Sequence, residues 1–225
     1  MVPEKFYVKP SCIDLNIFKR HPEEKNNVIR EQLNLQNKII GLYVGKFGGI
    51  YLTKEVFDLF KAASDYWDDK FIVIVLSSIS RKEIELLAHK SQLNSSKIIS
   101  ISELISLDEL INFMSIADFA VNAVKPVPSK RYCSPIKDGE YWAMGLPLII
   151  PPDISDDSDI IQQNNIGSIV PSFSSEGYRN AIKKIDALIK NTDKKSLHDK
   201  IRKIAEIHRN YSLAEKVYKE IYCNA

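Results

Sequence analysis

From residue 39 onward the chain alternates between short, uninterrupted runs of strand-forming residues and stretches in which apolar residues recur every three or four positions. The runs lie at 39–44, 71–76, 97–101, 119–124, 148–150 and 168–170. Between them, Val56, Phe57, Leu59, Phe60 and Ala63 follow a Thr53 cap with helical spacing, as do Ile84, Leu87 and Ala88, and then Leu107, Leu110, Ile111 and Met114. The runs are continuous rather than alternating, which is what a strand covered by helices on both faces requires. Strand–helix repetition of this kind predicts an α/β fold: a doubly wound six-stranded parallel sheet with right-handed crossovers. Residues 1–37 show no sustained period, and a short helix is predicted over 25–34. From residue 174 to the end only helical periodicity remains, carried by Ile182, Ile185, Leu188 and Ile189, then Leu197, Ile201 and Ile204, then Leu213, Val217 and Ile221. The predicted organisation is a lead-in (1–37), a sheet domain (38–173) and C-terminal helices packed on that domain (174–225).

Composition narrows the class. With 44% hydrophobic and 9% aromatic residues among 225, the chain has enough apolar surface for a sizeable core, which excludes disorder. Lys and Arg number 31 against 29 Asp and Glu, a net +2, so no nucleic-acid partner is expected. The longest purely aliphatic or aromatic run, residues 71–76, is far too short to span a membrane, and the opening Met-Val-Pro-Glu-Lys is no signal peptide. Cys12, Cys133 and Cys223 are odd in number and far apart, which excludes a disulfide framework and any Cys-x-x-Cys metal site. The expectation is a cytoplasmic protein of a reducing compartment. The tail is more basic than the rest, and both a solvated helix face and an acidic membrane surface at the inner face of the membrane are compatible with that charge.

In a doubly wound sheet, ligands bind beyond the carboxyl ends of the strands where strand order reverses. With the common order 3-2-1-4-5-6, the loops after the first and fourth strands flank that crevice. The first contains Gly45, Lys46, Gly48 and Gly49, three of the eight glycines within five residues. It matches neither a dinucleotide fingerprint nor a Walker A loop. Two readings stand: turn chemistry, or backbone stripped of side chains so that a ligand approaches closely. The second loop leads into Ser134-Pro-Ile-Lys-Asp-Gly-Glu-Tyr-Trp-Ala-Met-Gly-Leu-Pro147, read as a helix with Ser134 at the N-cap and Pro135 in its first position. Such a helix start aims free N–H groups at an anion. Lys137, in the third helical position, is poorly placed beside the helix dipole unless an anion shares the site, and Glu140 lies on the same face one turn deeper. The candidate ligand-binding residues are therefore Gly45, Lys46, Gly48, Gly49, Ser134, Ile136, Lys137 and Glu140. His21, His89, His198 and His208 are scattered without ligand-spaced partners, so no metal is expected. The acidic residues Asp153, Asp156, Asp157 and Asp159 read as a charged helix start.

The segment 134–147 resembles the signature of the C-terminal, donor-binding domain of retaining glycosyltransferases of the GT-B fold, the group 1 family. That pattern is Ser-Pro-x-Lys-x-x-Glu-Tyr-x-Ala-x-Gly-x-Pro followed by a strand. Its surroundings agree in order: Val44-Gly45-Lys46, Ala117-Asp118-Phe119, Asp159-Ile-Ile161, Ile166-Gly-Ser-Ile-Val170, and Val8-Lys-Pro-Ser-Cys-Ile-Asp-Leu-Asn-Ile-Phe18 at the interdomain position. The resemblance implies that residues 38–173 form a Rossmann-like nucleotide-sugar-binding domain. It implies that Lys46 and Lys137 neutralise the diphosphate leaving group, that Glu140 holds ribose hydroxyls, and that the donor is a nucleotide-diphosphate sugar used without a cofactor or metal. It further implies an N-terminal acceptor domain outside these 225 residues, a role in polysaccharide or glycoconjugate biosynthesis, and no sugar transfer by this stretch alone. Tyr132 stands where the family has the first of two glutamates spaced eight apart, and Gly48-Gly49 where it has Lys-Gly. A nonenzymatic nucleotide-binding module and a sugar-nucleotide epimerase are the rival readings. A phosphoacceptor receiver is disfavoured because Gly45-Lys46 replaces the acidic pair that it needs after the first strand.

Overall fold

The computed structural model describes residues 6–223; the opening five residues, weighed above against a signal peptide, and residues 224–225 lie outside it. Elements follow in the order α1 (Glu23–Gln32), β1 (Ile39–Val44), α2 (Lys54–Trp67), β2 (Phe71–Leu76), α3 (Arg81–Lys90), β3 (Ile98–Ile101), α4 (Leu107–Ile116), β4 (Phe119–Val121), α5 (Ile136–Ala143), β5 (Leu148–Ile150), α6 (Asp157–Asn164), β6 (Gly167–Ile169), α7 (Ser175–Asn191), α8 (Lys194–His208) and α9 (Tyr211–Cys223). The six strands are all parallel, in the order β3-β2-β1-β4-β5-β6. This is the predicted doubly wound sheet, with its strand order reversing between β1 and β4.

Local chemistry explains the elements. Every residue of β2 is buried, as a central strand between two helical layers must be. Ser80 with Glu83 and Ser106 with Glu109 form reciprocal capping boxes that start α3 and α4. Val56, Phe57, Leu59, Phe60, Ala63 and Trp67 turn one face of α2 into the core. Gly41 in β1 has a packing reason: a Cβ there would stand 2.9 Å from the Phe119 ring, which lies over it from β4. Several boundaries differ from the sequence reading, β6 by one residue at each end. The fourth strand ends at Val121 because residues 122–124 turn away to meet the loop after β1. The third begins at Ile98 after a single 3-10 turn, and α1 starts two residues early at Glu23 and ends at Gln32, two residues before Asn34, which sits at φ 55°.

The lead-in and the tail are tied to the sheet by charge as well as by apolar contact. Arg30 of α1 donates to both carboxylate oxygens of Asp118 at 2.8 Å, and Asp118 also accepts the Ile40 N–H at 2.9 Å, fixing the start of β1. The Asp186 carboxylate of α7 accepts Trp67 Nε1 at 2.7 Å and the Tyr66 hydroxyl at 3.0 Å from α2. Arg202 of α8 donates to the carbonyls of Leu15, Phe18 and Ala143. The tail's basic character is thus only partly a solvated face: Arg202 holds loops in place, and Arg209 is 1% exposed. No helix among the described residues is long and apolar enough to cross a membrane.

Candidate functional site

Where strand order reverses, a cleft of about 480 Å³ opens beyond the carboxyl ends of β1 and β4. One wall is Tyr43–Lys46 with Ile50 and Tyr51; the floor is Val121–Val124; the far wall is Cys133–Asp138 with Tyr141. The two loops form a single structure. Tyr51 bridges Val124, the Leu52 N–H donates to the Ala123 carbonyl at 2.6 Å, and Lys125 reaches the carbonyl of Gly49 with its Nζ at 2.7 Å. The α5 wall is locked to β1, since the Val44 N–H donates to the Tyr141 hydroxyl at 3.1 Å.

The far wall carries the start of α5, one residue later than the sequence reading placed it. Pro135 occupies the N-cap and offers no capping side chain. Ser134 is not the cap because both acceptor sites of its hydroxyl are taken, by the Ser11 N–H at 2.8 Å and by Arg209 Nη1 at 2.7 Å. Lys137 is accordingly the second helical residue. The N–H groups of Ile136 and Lys137 have no acceptor among the described residues and face the cleft end of the helix, so the partial positive charge of the helix start is unneutralised there.

The candidate residues separate into two sets. Gly45, Lys46, Ser134, Ile136 and Lys137 all line the cleft, drawn together from positions some 90 residues apart. Gly48, Gly49 and Glu140 do not. Gly48 and Gly49 stand at φ 79° and 59°, and a Cβ on either would meet nothing within 4 Å. Both adopt the left-handed backbone that favours glycine, and the space beside them is open. Glu140 is nearly buried behind the wall, where its Oε2 accepts Lys137 Nζ at 2.6 Å. The two residues that the sequence pattern separates by role are therefore paired with each other. Tyr132 is 90% exposed and does not line the cleft.

Running from the cleft lining into the protein beneath α5 is a charged cluster that sequence reasoning missed. Asp138 is fully buried, and Asn122 Nδ2 donates to both of its carboxylate oxygens at 2.8 Å. The Asn122 side-chain oxygen accepts the Val124 N–H at 2.7 Å, so this pair fixes the floor of the cleft to the start of α5. Next to it, Asp157 is fully buried and accepts a hydrogen bond from Arg209, which also lies over the Trp142 ring at 5.6 Å. Asp157 does open α6, the acidic helix start the sequence predicts, but its side chain is turned into the protein rather than to solvent. Burial, with the neighbouring Asp157, raises the Asp138 carboxyl well above the ordinary range, and burial also raises Asp157 despite Arg209. Asp157 Oδ2 has no donor unless Asp138 carries a proton, and the two carboxyls are within hydrogen-bonding reach. A protonated Asp138 beside an ionised Asp157–Arg209 pair satisfies both observations. The signal was present in the sequence: Asp138 precedes Tyr141 and Trp142 by three and four residues, so it shares their buried face. Among the described residues, no group of three His, Cys, Asp or Glu is placed to hold a metal ion.

No family model and no curated protein matches the chain. Solved structures do. WaaG, a glycosyltransferase involved in lipopolysaccharide biosynthesis, superimposes with a TM-score of 0.70 at 19% identity over 98% of this chain and 57% of its own. HepE of Anabaena, solved in complex with UDP, gives 0.70 at 15% identity over 93% and 55%. The C-terminal domain of LpcC, a glycosyl transferase group 1 family protein of Francisella tularensis, gives 0.59 at 18% identity over 92% and 98%. The chain therefore spans little more than half the length of WaaG and HepE, and nearly all of the isolated domain. The fold is the Rossmann-like half of a GT-B structure, as the resemblance implied.

Proposed function

We propose that the chain is the donor-binding half of a glycosyltransferase, taking a nucleotide-diphosphate sugar into the cleft between β1 and β4. The carrying observation is the convergence there of Lys46, Lys137 and the uncapped start of α5. Three sources of positive potential at a strand-order reversal suit a diphosphate and suit little else. As the bond from sugar to phosphate breaks, negative charge grows on the leaving diphosphate. Fixed N–H groups of Ile136 and Lys137 and the two ammonium groups stabilise that charge without reorganising. No metal is required for this role. The apolar floor and wall, Val121, Val124, Ile50 and Tyr51, offer a surface for the base.

Glu140 acts on the ribose in this reading: a diphosphate draws the Lys137 ammonium toward the cleft and leaves the Glu140 carboxylate to accept a hydrogen bond from a ribose hydroxyl. HepE, solved with UDP and with UDP-glucose, lends this donor class support through the shared fold. The acceptor is held by a second domain, and the product belongs to polysaccharide or glycoconjugate synthesis at the cytoplasmic side of a membrane, to which the exposed lysines of the tail are suited. Calorimetric titration of the chain with UDP, GDP and ADP tests the proposal. Saturable heat with at least one of them, weakened by Lys137→Ala, supports it; no heat with any of the three overturns it.

A further inference from the structure

Among the described residues that line the cleft between β1 and β4, one side chain is acidic, Asp138. It is the third residue of α5 and follows directly on Ile136 and Lys137, whose N–H groups have no acceptor among the described residues. An ionised carboxylate in a first helical turn neutralises the helix start, and a ligand anion would have to compete with it. At a range of several ångströms and the effective dielectric near a protein surface, that repulsion weakens an anion's binding about tenfold or more.

This carboxyl is packed as a neutral acid. It is fully buried, and Asn122 Nδ2 donates to both of its oxygens at 2.8 Å. The charged groups behind it are Asp157 of α6, with Asp156 beyond, and Arg209 at the end of α8. On the cleft side stand Cys133, before α5, and Tyr141, one turn along it, while Glu140 is turned to Lys137. Arg209 gives its hydrogen bonds to Asp157 and to the Ser134 hydroxyl rather than to Asp138. Asp157 Oδ2 is sealed from solvent without a donor, and a proton on Asp138 supplies one. Burial raises the Cys133 thiol and the Tyr141 hydroxyl, and a charge on Asp138 raises both further, so its charge state is felt along the cleft lining.

We propose that Asp138 is a positioning residue of the donor site, kept protonated by its pairing with Asp157 so that the start of α5 stays free for the diphosphate. The inference rests on the donor reading of the cleft and adds to it a linkage between donor binding and one buried proton. The sign follows from the charges: an anion at the start of α5 favours the neutral acid. Donor affinity is therefore full while Asp138 holds its proton and falls as the pH rises through its titration, by at most about tenfold per pH unit. Binding above that point takes up a proton.

The test is calorimetric titration of the 225-residue chain with UDP-glucose, GDP-mannose and ADP-glucose from about pH 5.5 to about 8.5, a window in which lysine side chains keep their charge. Diphosphate sugars are used because, unlike UDP, they carry no terminal phosphate that titrates near neutrality. With the probe that binds, wild-type affinity should be weaker by about tenfold or more at the alkaline end, and heats in buffers of different ionisation enthalpy should show proton uptake. Asp138→Asn keeps a neutral group in place and should show neither effect above about pH 7, beyond the Asp157 value of about 6. If that variant does not fold, infrared difference spectra of the wild-type chain at about pH 8 take its place, with the carbonyl band of a protonated carboxylic acid expected to grow as the probe is added. Wild-type binding indifferent to pH and without proton uptake, an Asp138→Asn variant with the wild-type pH profile, or an infrared band that does not grow overturns the proposal and leaves the donor reading standing. Failure of all three probes to bind at any pH overturns the donor reading itself, and the linkage with it.

Discussion

Replacing Asp138 by Asn tests whether the wall of the cleft is held by a shared proton. An Asn keeps an acceptor for Asn122 and turns an N–H donor toward the unpartnered Asp157 Oδ2, so it mimics the protonated aspartic acid. The magnitude follows from Asp157, pushed up to about 6 from the ordinary 3.8 by burial. A difference of about 2 in pKa is worth about 3 kcal/mol between folded and unfolded chains. A carboxyl that binds its proton more tightly when folded stabilises the fold while protonated. Its contribution is therefore full below about pH 4 and lost as the pH rises through about 6; Asp138, raised further, extends the loss to higher pH. The carboxylates lowered by partners, such as Glu83 and Asp186, act in the opposite sense near and below pH 4, and His198 and His208, lowered by burial, add stability as the pH rises towards the ordinary histidine value. Both sets are common to wild type and variant, so the difference between the two chains from pH 5 to 8 reports the buried pair. Urea unfolding across that window should show wild-type stability falling relative to Asp138→Asn as the pH rises, on the scale of the about 3 kcal/mol worked for Asp157, because the variant keeps the Asp157 step and lacks the Asp138 one. A variant destabilised equally at every pH, with the wild-type slope intact, would refute the shared proton.

Other consequences can be measured more simply. Gly145→Ala meets both a left-handed backbone and the His198 backbone at 2.9 Å, so it should cost about 2–5 kcal/mol, whereas Gly48→Ala meets only the backbone conformation and should cost about 1 kcal/mol; thermal unfolding of the two compares them. Lys137→Ala should weaken diphosphate binding by about 1.5–3 kcal/mol and nucleoside binding far less, with the loss shrinking as salt rises. Glu140→Gln should penalise a ribonucleotide and leave its 2′,3′-dideoxy analogue almost unaffected, and equal losses for both ligands would assign the residue to Lys137 alone. The chain by itself should transfer no sugar from any nucleotide donor in a product assay, and robust transfer would show that the acceptor site lies within these residues.

The sheet was legible because its signal is repetitive and local: six continuous apolar runs, each between helical periods, leave few arrangements, and the order reversal falls where the common topology puts it. The cleft followed from that topology, and Gly45, Lys46, Ile136 and Lys137 line it as read. What the sequence hid is what depends on long-range pairing. Ser134 has the local signature of an N-cap, but Ser11 and Arg209, 123 and 75 residues away, claim its hydroxyl. Asp157 reads as one of four acidic residues at a helix start, and only contact with Arg209, 52 residues on, reveals why it is buried. Gly48 and Gly49 share a loop with Gly45, and spacing cannot tell which of the three borders the cleft.

The most direct measurement is a crystal structure of the chain with whichever nucleoside diphosphate binds in calorimetry. The expected result places the diphosphate oxygens about 3 Å from the Ile136 and Lys137 N–H groups, with the ammonium of Lys46 or Lys137 on the same anion and the Lys137–Glu140 pair open. A nucleotide bound elsewhere, or one in the cleft with its diphosphate turned away from the start of α5, contradicts the donor-site assignment.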